Sequence, residues 1–369
     1  MTAGQRRRLD EAIARIGPLD TAAMDAAAAR LDRLTKPPGS MGRLEALVIQ
    51  LAGVTGRPDA RVDRRAIVVA AADHGVTRQG VSAYPAEVTP QMVANFIAGG
   101  AAINVLAAQV GALVTVVDVG VASPIPEVPP DPADPAGPRR GGRLVGARIR
   151  AGTADMTQGP AMTRDEALRA VIVGLDIVDE LVADGVDLVG VGEMGIGNTT
   201  AASALTAAFT GVAVERVTGR GTGIDDAGRA RKVAAVEAAL RMNDPDTADP
   251  IGTLAAVGGL EIGVLVGVMI GAAGADIPVV LDGFITGSAA LIACALAPDL
   301  GPRLIAAHRS AEPGHAVVLD HLGLQPLLEL DLRLGEGTGA ALAMGFLVAA
   351  VRIRDEMATF ESAAVSGPS

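Results

Sequence analysis

One cysteine, Cys294, stands in a chain of 369 residues. No intrachain disulfide and no thiolate zinc site can be built from it. Net positive charge is also missing. A formal charge of −11 argues against general binding to nucleic acid or anionic membranes, and leaves room only for a local basic pocket around a small anion. The opening MTAGQRRRLDEAIARI has charge but no apolar signal-peptide core, so the cytoplasm is the expected location. The most lipid-like stretch, Ile262 to Ala275, lies between Glu261 and Asp276 and falls short of the ~20 residues of a membrane span. Its glycines, Gly259, Gly263, Gly267 and Gly271, recur every four residues. A membrane helix dimer is one reading of that pattern. A buried helix pressed against a sheet is the other, and length favours it. Lysine is nearly absent: Lys36 and Lys232 are the only two, and each offers a compact charge that arginine cannot copy. Tryptophan is absent and Tyr84 is the sole tyrosine. No HExxH, G-x-S-x-G or GK[ST] motif occurs, and no internal repeat is evident.

What is there is an apolar chain, 50% hydrophobic, with a sizeable core in prospect. The first 60 residues read as helices. Asp20 to Leu34 is one of them, and TKPPGSMGRLE (Thr35 to Glu45) is a turn in which Ser40 can cap the next. From residue 66 short β-branched runs alternate with helical stretches. Ala66–Ala72, Leu113–Val117, Val186–Val191, Ile277–Leu281, Leu304–Ala307 and Leu327–Leu334 are the six candidate strands. Such near-continuous apolar runs suit a parallel sheet buried on both faces. The fold class is α/β: a three-layer, doubly wound, mostly parallel sheet of about six strands. Most of these strands end in a charged or polar residue, which places chemistry at the carboxyl edge of the sheet. Ala122 to Arg143, with seven prolines, reads as an irregular surface excursion.

Two glycine-rich turns, each with one glutamate, stand out. GEMGIGNTT (Gly192 to Thr200) and GEGTGA (Gly335 to Ala340) both follow an apolar run and precede an alanine-rich helical run. Bare N–H groups at such a helix start can hold a phosphate. The carboxylate beside them can act as a base. GEGTGA also fits G-x-G-x-x-A, but no strand with an acidic tip follows, which weakens a dinucleotide-dependent oxidoreductase. A third turn, GRGTGIDDAGRARK (Gly219 to Lys232), lets Asp225 or Asp226 cap a helix that carries Lys232. Either a solvated lysine or an anion partner fits there. Asp73-His74 ends the first strand, and His308, His315 and His321 come late. Structural hydrogen bonding suits these histidines better than a metal, and none is expected. Tyr84, in GVSAYPAEVTPQM (Gly80 to Met92), reads equally as the lining of an aromatic-ligand pocket, with Ser82 and Gln91 as polar partners, or as a surface tyrosine.

Taken together these segments resemble one family, the nicotinate-nucleotide–dimethylbenzimidazole phosphoribosyltransferases. The resemblance rests on TKPPGSMGRLE, ADHGV, GTADMTQGPAMT (Gly152 to Thr163), GEMGIGNTT, GRGTGIDD, LDGFITGSAA (Leu281 to Ala290), HRSAEPGH (His308 to His315) and LRLGEGTGA (Leu332 to Ala340), in family order. It implies transfer of phosphoribose from nicotinate mononucleotide to 5,6-dimethylbenzimidazole, with inversion at C1′. The products are α-ribazole 5′-phosphate and nicotinate, for the lower nucleotide loop of cobalamin. It implies a pentosyltransferase with no cofactor and no metal, acting as a homodimer. Residues 61–340 would form the α/β core, and residues 1–60 and 341–369 a small helical domain. Glu336 would be the general base. Glu193, Gly195, Gly197, Asn198, Thr199 and Lys232 would hold the nucleotide and its phosphate, and Ser82 and Gln91 the benzimidazole; Tyr84 joins them on the reading of its loop alone. The alternative is a nucleotide sensor on the same scaffold, without turnover.

Overall fold

The computed structural model describes residues 3–127 and 141–366. Among these residues six strands form one wholly parallel sheet: β1 (Arg65–Ala72), β2 (Ala112–Gly120), β3 (Arg143–Gly146), β4 (Leu188–Met194), β5 (Val279–Leu281) and β6 (Leu304–Ala306). Their spatial order is β3-β2-β1-β4-β5-β6. The chain thus builds outward from β1 on one side, then crosses back to build from β1 on the other.

Strand β1 shows how this sequence makes a three-layer fold. Successive side chains point to opposite faces of a sheet. Ala66, Val68, Ala70 and Ala72 enter one hydrophobic core, while Ile67, Val69 and Ala71 enter the other. Both faces are covered, so the strand needs no polar alternation. The first core is shared with helices Arg164–Ala183, Asn198–Thr210, Leu260–Gly274 and Phe284–Leu296. The second is shared with helices Thr21–Asp32, Arg43–Thr55, Ala102–Gln109 and Thr338–Glu356. The chain ends meet: Thr35 N–H donates to Ala358 O at 3.0 Å and Phe360 N–H to Arg33 O at 3.1 Å. The first helix, Ala3–Ala14, lies elsewhere, with Leu9 in the first core.

One expected strand fails and one strand was not expected. Leu327–Leu334 is not a strand. Leu328 forms a single parallel bridge to His308, Asp331 turns left-handed at φ +53°, and Leu330 and Leu334 are exposed. The sixth strand is instead β3, four mostly exposed residues that pair with β2 and carry no apolar run. It emerges from the far end of the proline-rich excursion, of which residues 128–140 lie outside the described residues.

The glycine stripe of Leu260–Gly274 also has a different partner from the one expected. A Cβ at Gly267 would collide with Val171 O, and one at Gly174 with Val264 O. The stripe therefore presses against helix Arg164–Ala183 at backbone distance, and the whole helix is buried but for its last turn. One other stretch, Val88–Gln109, has the length and hydropathy of a membrane crossing. Gly99, at φ +81°, splits it into helices of 11 and 8 residues, each too short to cross. Ser40 caps nothing: Gly42 is the N-cap of Arg43–Thr55. The turn is fixed instead by Glu45, whose Oε1 accepts from Met41 N–H and pairs with Lys36 Nζ, both at 2.9 Å.

Candidate functional site

A reversal of strand order opens a crevice beyond the carboxyl ends of the strands on either side of it. Here those strands are β1 and β4. Strand β1 delivers Asp73 and His74. The His74 Nε2 lies 2.7 Å from Glu261 Oε1, and both side chains are buried. Burial disfavours the imidazolium, but Glu261 and Asp73 outweigh it and raise the His74 pKa. This pair anchors the strand end to helix Leu260–Gly274. Among the described residues no cluster of three or more His, Cys, Asp or Glu could hold a metal.

Strand β4 delivers Glu193 on the first of the two glutamate turns. The second turn, Gly335–Gly337, lies directly against it. A Cβ at Gly192 would strike the backbone of Glu336 and Gly337, so only glycine admits the contact. Two segments over 140 residues apart in sequence are thus locked together at the carboxyl edge. Each then enters a helix: Gly197 is the N-cap of Asn198–Thr210 and Gly337 of Thr338–Glu356.

A cavity of about 460 Å³ opens over both turns. Glu193, Gly195, Asn198 and Thr199 line one side, and Leu334 and Glu336 another. Val88, Met92, Met194 and Ile196 give an apolar wall, with Tyr84 at its half-exposed rim. Gly221, Thr222, Ser310, Glu312 and Arg333 supply most of the remaining polar wall.

The two glutamates have different surroundings. Both are buried at the cavity wall. Burial first, then the charges of Asp282 and Glu261, push the Glu193 pKa well above the usual carboxyl range, against the pull of Asn198, whose Nδ2 donates to Glu193 Oε2. Glu193 is therefore shifted toward its protonated form. Burial also raises Glu336, opposed by the backbone N–H of Ile103, but only to about 7. Its Oε2 is buried without a hydrogen-bond partner among the described residues. A carboxyl poised at neutral pH, beside open space, is the condition for a general base.

Lys232 lies behind the cavity wall rather than in it. It is completely buried on helix Asp226–Asn243, whose N-cap is Asp225, and its Nζ donates to Thr199 Oγ1 at 2.8 Å. Burial brings its pKa down to about 8, against the opposing charge of Glu312. Glu312 Oε1 in turn accepts from Gly221 N–H at 2.8 Å. The N-terminus of Asn198–Thr210 and this ammonium lie at one end of the cavity, with Glu312 on the same wall.

Of the expected site residues, Glu336, Glu193, Gly195, Asn198, Thr199 and Tyr84 share this cavity. Gly197 and Lys232 support its wall from behind. Ser82 bonds across to Thr222, Oγ to Oγ1 at 3.2 Å, and Gln91 is exposed beside the Val88 and Met92 face without lining the cavity. The late histidines do not all come together. The rings of His308 and His315 are 6.0 Å apart, with His315 Nδ1 accepting from Ser310 N–H at 2.9 Å, while His321 lies in another pocket. Glu312, Ser310 and Arg333 were missed as site residues, although they sit inside HRSAEPGH and LRLGEGTGA.

Comparison with known proteins places this geometry. A family model described as phosphoribosyltransferase matches residues 16–365. The chain is 57% identical over 358 residues to the nicotinate-nucleotide–dimethylbenzimidazole phosphoribosyltransferase of Chloroflexus aggregans, covering 97% of this chain and 98% of that one. It is 50% identical over 358 residues to the protein of the same name from Geobacter sulfurreducens, with the same coverage. A crystal structure of the protein of that name from Thermus thermophilus superposes with a TM-score of 0.85 at 47% identity, covering 95% of this chain and all of that one.

Proposed function

We propose a function from one premise: this chain belongs to the nicotinate-nucleotide–dimethylbenzimidazole phosphoribosyltransferase family. It is a pentosyltransferase of cobalamin biosynthesis that moves phosphoribose from nicotinate mononucleotide to 5,6-dimethylbenzimidazole. The products are α-ribazole 5′-phosphate and nicotinate. The observation that carries the site assignment is the single cavity lined by Glu193, Thr199 and Glu336 at the switch point.

In our reading the phosphate lies at the start of Asn198–Thr210, against Thr199 and with Lys232 behind it. The benzimidazole lies along Val88, Met92, Met194 and Ile196, with Tyr84 at the rim. Ser82 and Gln91 belong to the base side on the family resemblance. One ring nitrogen attacks C1′ as Glu336 takes the proton from the other. The C1′–nitrogen bond of the nucleotide breaks, and its electron pair returns to the pyridinium, leaving neutral-ring nicotinate. That leaving group needs no protonation, so one base suffices where glycoside hydrolysis uses two carboxyl groups. Inversion requires attack opposite the departing nicotinate. Alignment of two bound reactants supplies much of the rate. Glu193 serves as a hydrogen-bonding wall.

We further propose a homodimer in the cytoplasm, with a small helical unit formed where the two chain ends meet. Exposed Val105, Leu113 and Phe346 support a covered surface. Light scattering giving one chain mass would contradict the dimer. The function is tested by incubating the protein with both substrates and identifying products by mass. Equimolar α-ribazole 5′-phosphate and nicotinate are expected. Bound nucleotide with no nicotinate released would contradict the assignment.

A further inference from the structure

We propose that Asp282 is a positioning residue for Glu336, holding the turn that aims the Glu336 carboxyl into the cavity. The inference rests on the reading of Glu336 as the base. Asp282 follows β5 directly and is buried. Its Oδ2 accepts from Gly337 N–H at 3.2 Å. Its Oδ1 accepts from Gly339 N–H at 2.6 Å and Ala340 N–H at 3.2 Å. One carboxyl group thus takes three N–H groups from the four residues that follow Glu336. Asp282 is not among the residues lining the cavity, so it acts through the turn rather than on a substrate.

The turn needs such a clamp. Gly335, Glu336 and Gly337 are all left-handed, at φ +86°, +65° and +86°. Glycine adopts this region freely, but glutamate does so only against its own Cβ. A residue of this kind persists where its surroundings over-determine it. Gly192 presses the turn from β4, and Thr338 Oγ1 donates to Gly335 O at 2.8 Å from within it. Asp282 fixes it from β5 and joins it to the start of Thr338–Glu356. A carboxylate suits the place because both its oxygens only accept. Asparagine would set an NH₂ donor against one of the N–H groups. The ionisable groups facing Asp282 are Glu336 on the turn, Glu193 on β4 and His308 after β6, whose Nε2 lies 3.8 Å from Asp282 Oδ1.

The test is a double-mutant cycle on the full-length enzyme, with Asp282→Asn and Glu336→Gln. Asp282→Asn alone is expected to lower kcat about 10- to 100-fold through misplacement of the base, with KM for both substrates within about twofold. In the Glu336→Gln background the same change should cost nothing further. An unchanged kcat, or an equal loss in both backgrounds, would overturn the positioning role while leaving the base in place. Near-normal turnover by Glu336→Gln would remove the base itself and the inference with it. Should Asp282→Asn not fold, hydrogen exchange on the wild type decides. The Gly337 and Gly339 amides should exchange at least about 100-fold more slowly than unprotected amides, and exchange at turn rates would overturn the clamp.

Discussion

The turns around Glu193 and Glu336 share a pattern, G-E followed by glycine and a helix, yet the fold gives them opposite characters. Glu193 rides on a regular strand in the middle of the sheet, lines the cavity and bonds Asn198. Glu336 rides on an irregular segment outside the sheet, in a left-handed conformation, with one oxygen free of partners among the described residues. Burial raises both, and Glu193 also feels Asp282 and Glu261. Two like groups in unlike surroundings are a usual way to divide roles in a site. In our reading the strand-borne glutamate is a hydrogen-bonding wall. The loop-borne glutamate can lose a proton near neutrality and so can take one from the incoming base.

The contrast can be broken at either turn. Glu336→Gln should cause the largest loss, about 10²- to 10⁴-fold in kcat, the ordinary worth of a general base. Steady-state assay of α-ribazole 5′-phosphate checks it, and a loss below tenfold would move the base elsewhere. Lys232→Met should act at the far end of the cavity. It removes a buried cation, so KM for nicotinate mononucleotide should rise about 10- to 100-fold, as for a charged hydrogen bond. The same substitution should barely affect use of the dephosphorylated nucleoside; equal weakening of both would place Lys232 off the phosphate. Glu193→Gln sharpens the comparison most, because it should matter least. Glutamine keeps an acceptor for Asn198 at nearly the same size, so kcat/KM should fall less than about tenfold, the scale of one neutral hydrogen bond. A loss matching that of Glu336→Gln would make Glu193 a second ionised participant.

Much of this site was legible in the sequence, and the limits have physical causes. The carboxyl-edge placement followed from apolar runs ending in charged residues, and five of the six expected runs fall on the observed strands. Leu327–Leu334 misled because LLELDLRL alternates like a half-buried strand, and nothing local announces the left-handed Asp331. Strand β3 was invisible because an exposed edge of four residues carries no apolar signal. Lys232 drew notice as one of two lysines, but its helix shows no clear apolar face, so its burial could not be read. Asp282 carried a readable sign, a carboxylate straight after a strand, as at Asp73. Its three N–H partners lie over fifty residues further on and exist only in the fold.

The pH dependence of kcat/KM, compared between wild type and Glu336→Gln, tests the base assignment most directly. A base works only when deprotonated, and the Glu336 pKa stands at about 7. Wild-type kcat/KM should therefore fall tenfold per pH unit below about 7, and fall again above about 8 as Lys232 loses its charge; the acid limb alone should vanish in the glutamine variant. An acid limb that survives unchanged in Glu336→Gln would show that another group takes the proton.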